Sequence, residues 1–262
     1  MRKISQVVKG MPATDGAGVE LTRVIGQPAL SMLDPFLLLD AFRSDNPEDY
    51  IAGFPAHPHR GFETVTYLLA GRMRHKDNAG HEGVIEAGGI QWMTAGKGIV
   101  HSEMPEQENG LLEGFQLWVN LPAEHKMDAP SYQEVACEHI PVESRGEGVE
   151  VRVITGVTSQ GTVGPVVQPL TQPLYLDVQL PAGKAFSELL PETHNALIYV
   201  IQGQLLIGDE MHNILGRDDL SVLTTGDSIK VSAGEQAARF LLIAGSPLNE
   251  PVARGGPFVM NT

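Results

Sequence analysis

Cysteine is nearly absent from this sequence. Cys137 stands alone in 262 residues, which excludes an intrachain disulfide and any zinc knuckle built on paired thiolates. Basic residues are also few. Eighteen Lys and Arg face 32 Asp and Glu, and the net charge of −14 argues against attraction to a phosphate backbone, hence against direct nucleic-acid contact. The one basic cluster, Arg72-Met73-Arg74-His75-Lys76, follows a turn glycine and reads as the solvated face of a strand. No apolar run approaches the roughly 18 residues that a membrane-spanning helix needs. No apolar segment follows the basic Met1-Arg2-Lys3, as it would in a secretory leader. These absences lead to the expectation of a soluble, cytoplasmic protein.

Helical periodicity is scarce too. What the chain has instead is short runs in which apolar and polar residues alternate, such as Thr64–Leu69, Phe115–Val119 and Val149–Ile154, broken by many of its 29 Gly and 18 Pro. That pattern predicts an all-β fold, a sandwich or barrel. The runs also repeat. "YLLAGRM" from Tyr67 reads against "YVIQGQL" from Tyr199, "MTAGKG" from Met93 against "VSAGEQ" from Val231, and "FQLWVNLP" from Phe115 against "FLLIAGSP" from Phe240. Three matches in one order predict a duplicated β domain. The polar, proline-bearing stretch 121–130 is the expected join, giving an N-terminal domain over 1–125 and a C-terminal one over 126–262.

Histidines stand inside this strand-like sequence in a pattern that calls for an occupant. In "FPAHPHRGFETVTYLLAG" an extended strand would project His57 and His59 to one side, about 6–7 Å apart along the backbone. Pro58 between them favours an edge or bulged strand. About forty residues on, His101-Ser102-Glu103 repeats the device behind the turn glycines Gly96 and Gly98. Three neutral imidazoles and a carboxylate suit a divalent iron, manganese, nickel or copper ion. Glu63 fits the inward face if the strand is unbroken, but Gly61 invites a bulge. It is therefore assigned a hydrogen bond to a ligand imidazole N–H rather than a ligand role. His75 and His81, in the polar "MRHKDNAGHEG" hairpin, read as solvent-facing, and His125 and His139 as linker residues. Phe54, Val65, Trp92, Met93, Phe115 and Trp118 are candidate pocket lining, with at least half expected to be plain core.

The stretches "HPHRGFETVTYLLAG", "GGIQWMTAGKGIVHSE" and "AGSPLNEPVARGGPFVMNT" resemble the pirin family of the cupin superfamily, and the likeness runs over nearly the whole chain. The resemblance implies a bicupin, two β-sandwich or jelly-roll barrels packed face to face, with one metal ion in the N-terminal barrel. The family's ligands fall on His57, His59, His101 and Glu103. Gly96 replaces a proline common in cupins, and Glu103 replaces Glu63 as fourth ligand; both are pirin traits. The resemblance further implies a quercetin 2,3-dioxygenase-type enzyme that cleaves flavonols with dioxygen and releases carbon monoxide. Glu103 would act as general base on the flavonol 3-hydroxyl. The expected cofactor is one divalent transition metal per chain, iron(II) first, with copper, nickel, manganese or cobalt as alternatives. The other function implied is an iron-dependent regulatory protein that binds a transcription factor or another protein partner, although the sequence has no basic nuclear-localisation cluster. A monomer is expected. Aligning Tyr199 on Tyr67 puts Leu189, Pro191 and Asn195 where His57, His59 and Glu63 stand, and no histidine follows His212. The C-terminal lobe is therefore expected to hold no metal.

Overall fold

The computed structural model describes residues 1–208 and 214–262, and every regular element among them is a β-strand or a short 3-10 turn. His212 lies outside the described residues. The strands form two compact units. One comprises Met11–His139 with Leu248–Thr262, the other Met1–Gly10 with Ile140–Pro247. The chain thus passes between units near residues 10, 139 and 247, two crossings more than a single join implies. The terminal segments change units because each supplies strands that the other half of the chain lacks. Ile4–Lys9 pairs with Asp219–Leu223. The hairpin Ala253–Gly255/Phe258–Met260 returns to the N-terminal unit, where Phe258 bridges Arg60.

Each unit joins a seven-stranded antiparallel sheet to a four-stranded one, and the seven strands follow the same order in both. In the N-terminal unit that order is 131–135, 90–94, 62–70, 112–120, 36–44, 19–25, 11–15. In the C-terminal unit it is 4–9, 219–223, 195–202, 238–245, 174–180, 150–155, 142–144. The duplication read in the sequence is therefore present, with two of its three alignments corrected. Tyr67 and Tyr199 occupy equivalent strands. Met93 sits on the large sheet and Val231 on the small one, so the counterpart of Ile90–Thr94 is Asp219–Leu223. Strand pairing sets Phe240, Leu242 and Ala244 against Gly114, Gln116 and Trp118, one residue off the "FQLWVNLP" match. Turn sequences of similar composition produced the first error, and the continuously apolar run Phe240–Ala244, which carries no alternation to mark its register, the second.

The C-terminal unit is filled by apolar side chains from both sheets, among them Val153, Leu176, Ile198 and Leu242 from the large sheet and Phe186, Leu205 and Val231 from the small one. Each unit also buries one cation against backbone carbonyls. Arg2, 1% exposed, donates to the carbonyls of Pro191 (2.7 Å), His194 (2.8 Å), Gly226 (2.9 Å) and Thr224 (3.2 Å). In the other unit Lys126 Nζ donates to Asn120 Oδ1 (2.6 Å), Gly61 O (2.7 Å) and Val259 O (3.1 Å). Gly61 is the corner at which the histidine strand ends. Its φ of +84°, and a Val259 carbonyl that would stand 1.9 Å from an added Cβ, admit no other residue.

Candidate metal centre

The N-terminal unit brings three imidazoles to one point. His57 and His59 lie on strand Phe54–His59, and His101 lies on Ile99–Pro105, paired directly across from His57. His57 Nε2 is 2.9 Å from His59 Nε2 and 3.1 Å from His101 Nε2. The His57 Nδ1–H donates to the Pro55 carbonyl at 2.9 Å, which leaves the Nε2 lone pair directed at the cluster. His59 is pushed down to about 2, chiefly by burial and further by His101 and His57. Burial also lowers His101, against the opposing pull of Glu103 and with repulsion from His57 adding to it. Rings that turn lone pairs toward one another cannot satisfy them mutually. A metal ion at about 2.1 Å from each nitrogen would set adjacent octahedral donors about 3.0 Å apart, so the residues present fit a divalent metal.

Glu103 follows His101 by two residues and faces the same cavity, but its carboxylate is engaged elsewhere. Thr66 Oγ1 lies 2.9 Å from Glu103 Oε1 and 2.6 Å from Gln116 Oε1, and Gln116 Nε2 donates to Glu103 Oε2 at 3.3 Å. Among the described residues the group able to hold a metal is His57, His59 and His101. Glu63 does not make the expected bond to a ligand imidazole. The corner at Gly61 restarts the alternation, so Glu63 points to the opposite face of its strand from Thr66 and accepts from Thr94 Oγ1 at 2.7 Å. The buried Nδ1 atoms of His59 and His101 receive no bond from it.

Other expectations change in the same way. His75 is buried, 1% exposed, with Nε2 2.7 Å from Glu134 Oε1. The strand Arg72–Asp77 alternates, so only Arg72, Arg74 and Lys76 form the solvated face. His81 is exposed, beside Asp77. Of the six pocket candidates, Phe54 and Trp118 line the cavity. Val65, Trp92 and Phe115 point to the other face of the large sheet, and Met93 joins a cluster with Ala95 and Ile99.

The cavity beside the histidines has a volume of about 610 Å³, within the usual range for small-molecule sites. One row of paired residues crosses its large-sheet wall: Arg23, Asp40, Gln116 and Thr66. Arg23 holds Asp40 with two bonds of 2.9 and 2.7 Å and Asp15 with one of 2.9 Å. Burial raises Asp40, with Arg23 pulling the other way. The same row in the C-terminal unit reads Val153, Leu176, Leu242 and Ile198. There, Ile229 and Val231 stand where pairing puts His101 and Glu103, and neither offers a donor. The same sheet position is therefore built from apolar residues in the other unit. None of these wall residues was found from the sequence. The usable signal was polar residues inside fully buried strands, as in Thr64-Val65-Thr66-Tyr67.

The sequence profile described as Pirin matches residues 18–119, and the one described as Pirin C-terminal cupin domain matches residues 175–262. The chain is 55% identical over its whole length to a pirin-like protein of Caulobacter vibrioides, covering 94% of that protein. It superimposes on a crystal structure of quercetin 2,3-dioxygenase from Acinetobacter baumannii with a TM-score of 0.91 at 34% identity, covering 100% of this chain and 93% of the other. A bacterial pirin from Escherichia coli, solved in complex with nickel(II), shares the fold with a TM-score of 0.73 at 18% identity, covering 94% and 99%. A three-histidine cluster in one of two like-ordered β units, within a chain matched by both profiles, places this protein in the pirin family.

Proposed function

We propose that the chain is a metal-dependent dioxygenase of the quercetin 2,3-dioxygenase type. His57, His59, His101 and Glu103 would hold one divalent ion, iron(II) first among the candidates. The observation that carries this reading is the convergence of three imidazole Nε2 atoms beside a cavity large enough for a three-ring ligand and walled by Phe42, Phe54 and Trp118. When bound, the ion supplies Lewis acidity toward the flavonol 3-oxygen and the means to activate dioxygen.

The remaining work falls to side chains. Glu103, beside the histidines, takes the 3-hydroxyl proton. Thr66 and Gln116 fix the Glu103 carboxylate, so that it meets the hydroxyl without first searching rotamers. Phe54, Trp118 and Leu38 give the rings an apolar slot and keep water from the reacting carbons. Both atoms of dioxygen enter the opened product, and one ring carbon leaves as carbon monoxide. The test is aerobic turnover of quercetin with carbon monoxide detection, using parent and Glu103→Gln protein loaded to equal metal occupancy. The parent should release carbon monoxide, and the variant about 10²–10⁴-fold more slowly, as for loss of a general base. A metal-loaded parent that consumes no quercetin sinks the proposal.

A further inference from the structure

The cavity holds two arginines, and only one of them is committed. Arg23 spends its guanidinium on Asp40 and Asp15. Arg254, on the C-terminal hairpin strand Ala253–Gly255, has its guanidinium carbon 4.7 Å over the Trp118 ring. Its hydrogen bonds are two long ones, Nε to Gly256 O and Nη1 to Leu37 O, both 3.4 Å, and no carboxylate pairs with it among the described residues. A guanidinium carries five N–H donors, so most of its capacity is unused. It is also partly out of water, and burial, then the like charge of Arg23, lowers its pKa.

Position and charge give this spare cation a use. The His59 ring lies 5.3 Å from the Trp118 ring, so His59 and Arg254 both pack against the one indole. Arg254 lines the same cavity as His57 and His59, with its guanidinium over the Trp118 face. The cavity sets Arg23 and Arg254 against Asp15, Asp40 and Glu103. With a divalent ion on the histidines, one net positive charge remains, which favours a monoanion despite the acidic surface of the whole chain. The C-terminal unit has Ala244 at the Trp118 position, so the fold itself requires neither the indole nor the cation that covers it.

We propose that Arg254 is an anion anchor: it gives this pocket a preference for planar aromatic ligands that carry an anionic oxygen, carboxylate or phenolate, at the Trp118 face. The anchor rests on the flavonol reading only for the shape of the ligand, and its test needs no turnover. Trp118 reports on the pocket, while Trp92 points to the opposite face of the sheet and adds a constant background. Tryptophan quenching would be titrated anaerobically in the metal-loaded full chain with 3-hydroxyflavone, its 4′-carboxylate and its 7-hydroxy derivative.

In Arg254→Gln the Kd of the carboxylate should rise about tenfold, the loss of a charge-assisted hydrogen bond, and that of neutral 3-hydroxyflavone should change less than about twofold. Arg254→Lys should recover part of the loss, and added salt should shrink it. The 7-hydroxy ligand should follow the carboxylate only above the pH at which its phenol ionises, which tells a phenolate source from a carboxylate one. Equal weakening of neutral and anionic ligands at unchanged metal content would make Arg254 a staple for the hairpin and overturn the proposal. No weakening of either would overturn it too. Charge-selective binding without carbon monoxide release would keep the anchor and remove the dioxygenase.

Discussion

Replacing Lys126 by methionine tests how the pocket-bearing unit is held together. The ammonium is buried and serves three acceptors, Asn120 Oδ1, Gly61 O and Val259 O, which tie the histidine corner to the chain terminus. Methionine keeps the length of the side chain and strands all three. At roughly 1–3 kcal/mol for each buried acceptor left unpaired, the loss is about 5 kcal/mol. Against it stands relief from burying a cation, visible in a Lys126 pKa pushed down to about 8 by burial. That relief is about 2 kcal/mol once screening by nearby water is allowed for, so the net loss is about 3 kcal/mol. Trp92 and Trp118 are the only tryptophans and both lie in this unit, so their fluorescence follows its unfolding alone, while far-UV ellipticity follows both units. In urea the fluorescence midpoint should fall by about 1.5 M, for an m-value of about 2 kcal/mol per molar, and the ellipticity trace should split into two steps. The pH dependence has a definite sign. From pH 8 toward the unfolded-state value of 10.5, the folded parent sheds this proton first, so its stability rises with pH, and the variant lacks that rise. A fluorescence midpoint unchanged to within about 0.3 M would show that these contacts hold nothing, and the reasoning would fail.

Two further outcomes follow from the site. His101→Ala should lose most of the metal found by elemental analysis of the parent, whereas Glu63→Gln should keep it, because the Glu63 carboxylate accepts from Thr94 and makes no bond to the Nδ1 atoms of His59 and His101; equal losses would return Glu63 to the metal centre. Arg23→Val alone leaves the Asp40 carboxylate buried without its partner and should cost about 3–5 kcal/mol, while Arg23→Val with Asp40→Leu, the pair the C-terminal unit uses, should cost about nothing. Thermal unfolding of the cycle would decide this, and a double variant as unstable as the single one would refute it.

Much of this was legible in the sequence, for one physical reason: a histidine in a strand is costly unless something occupies it. His57, His59 and His101 were conspicuous against their apolar neighbours, and period-2 alternation gave the all-β fold. The same rule hid the wall of the site. Alternation in a half-buried strand normally assigns the polar set to solvent, yet Thr66 and Gln116 turn toward the cavity, while Val65, Tyr67, Phe115 and Leu117 are buried on the other face. Sequence gives the parity of a strand and not which side of it is hollow. Glu63 was misplaced because a corner one residue before its strand resets that parity. Arg254 was invisible for another reason: with Gly256 and Pro257 it lies more than a hundred residues from the rest of the pocket and reaches it only because residues 248–262 join the N-terminal unit.

That exchange also puts a clock on the site. A ribosome adds about 5–20 residues per second, so strand Leu112–Asn120, with Gln116 and Trp118, is made roughly 7–27 s before Arg254 and Pro257. For that interval the nascent unit has its three histidines but an unfinished cavity, without the hairpin that supplies the Phe258 bridge and the Val259 carbonyl for Lys126. Metal that binds early meets an open ligand cluster. Metal that binds late meets a closed one, and a chain stopped before Arg254 would carry the histidines and lack Arg254, Gly256 and Pro257 of the cavity wall. The hairpin Ala253–Gly255/Phe258–Met260 is what completes the cavity beside the three histidines.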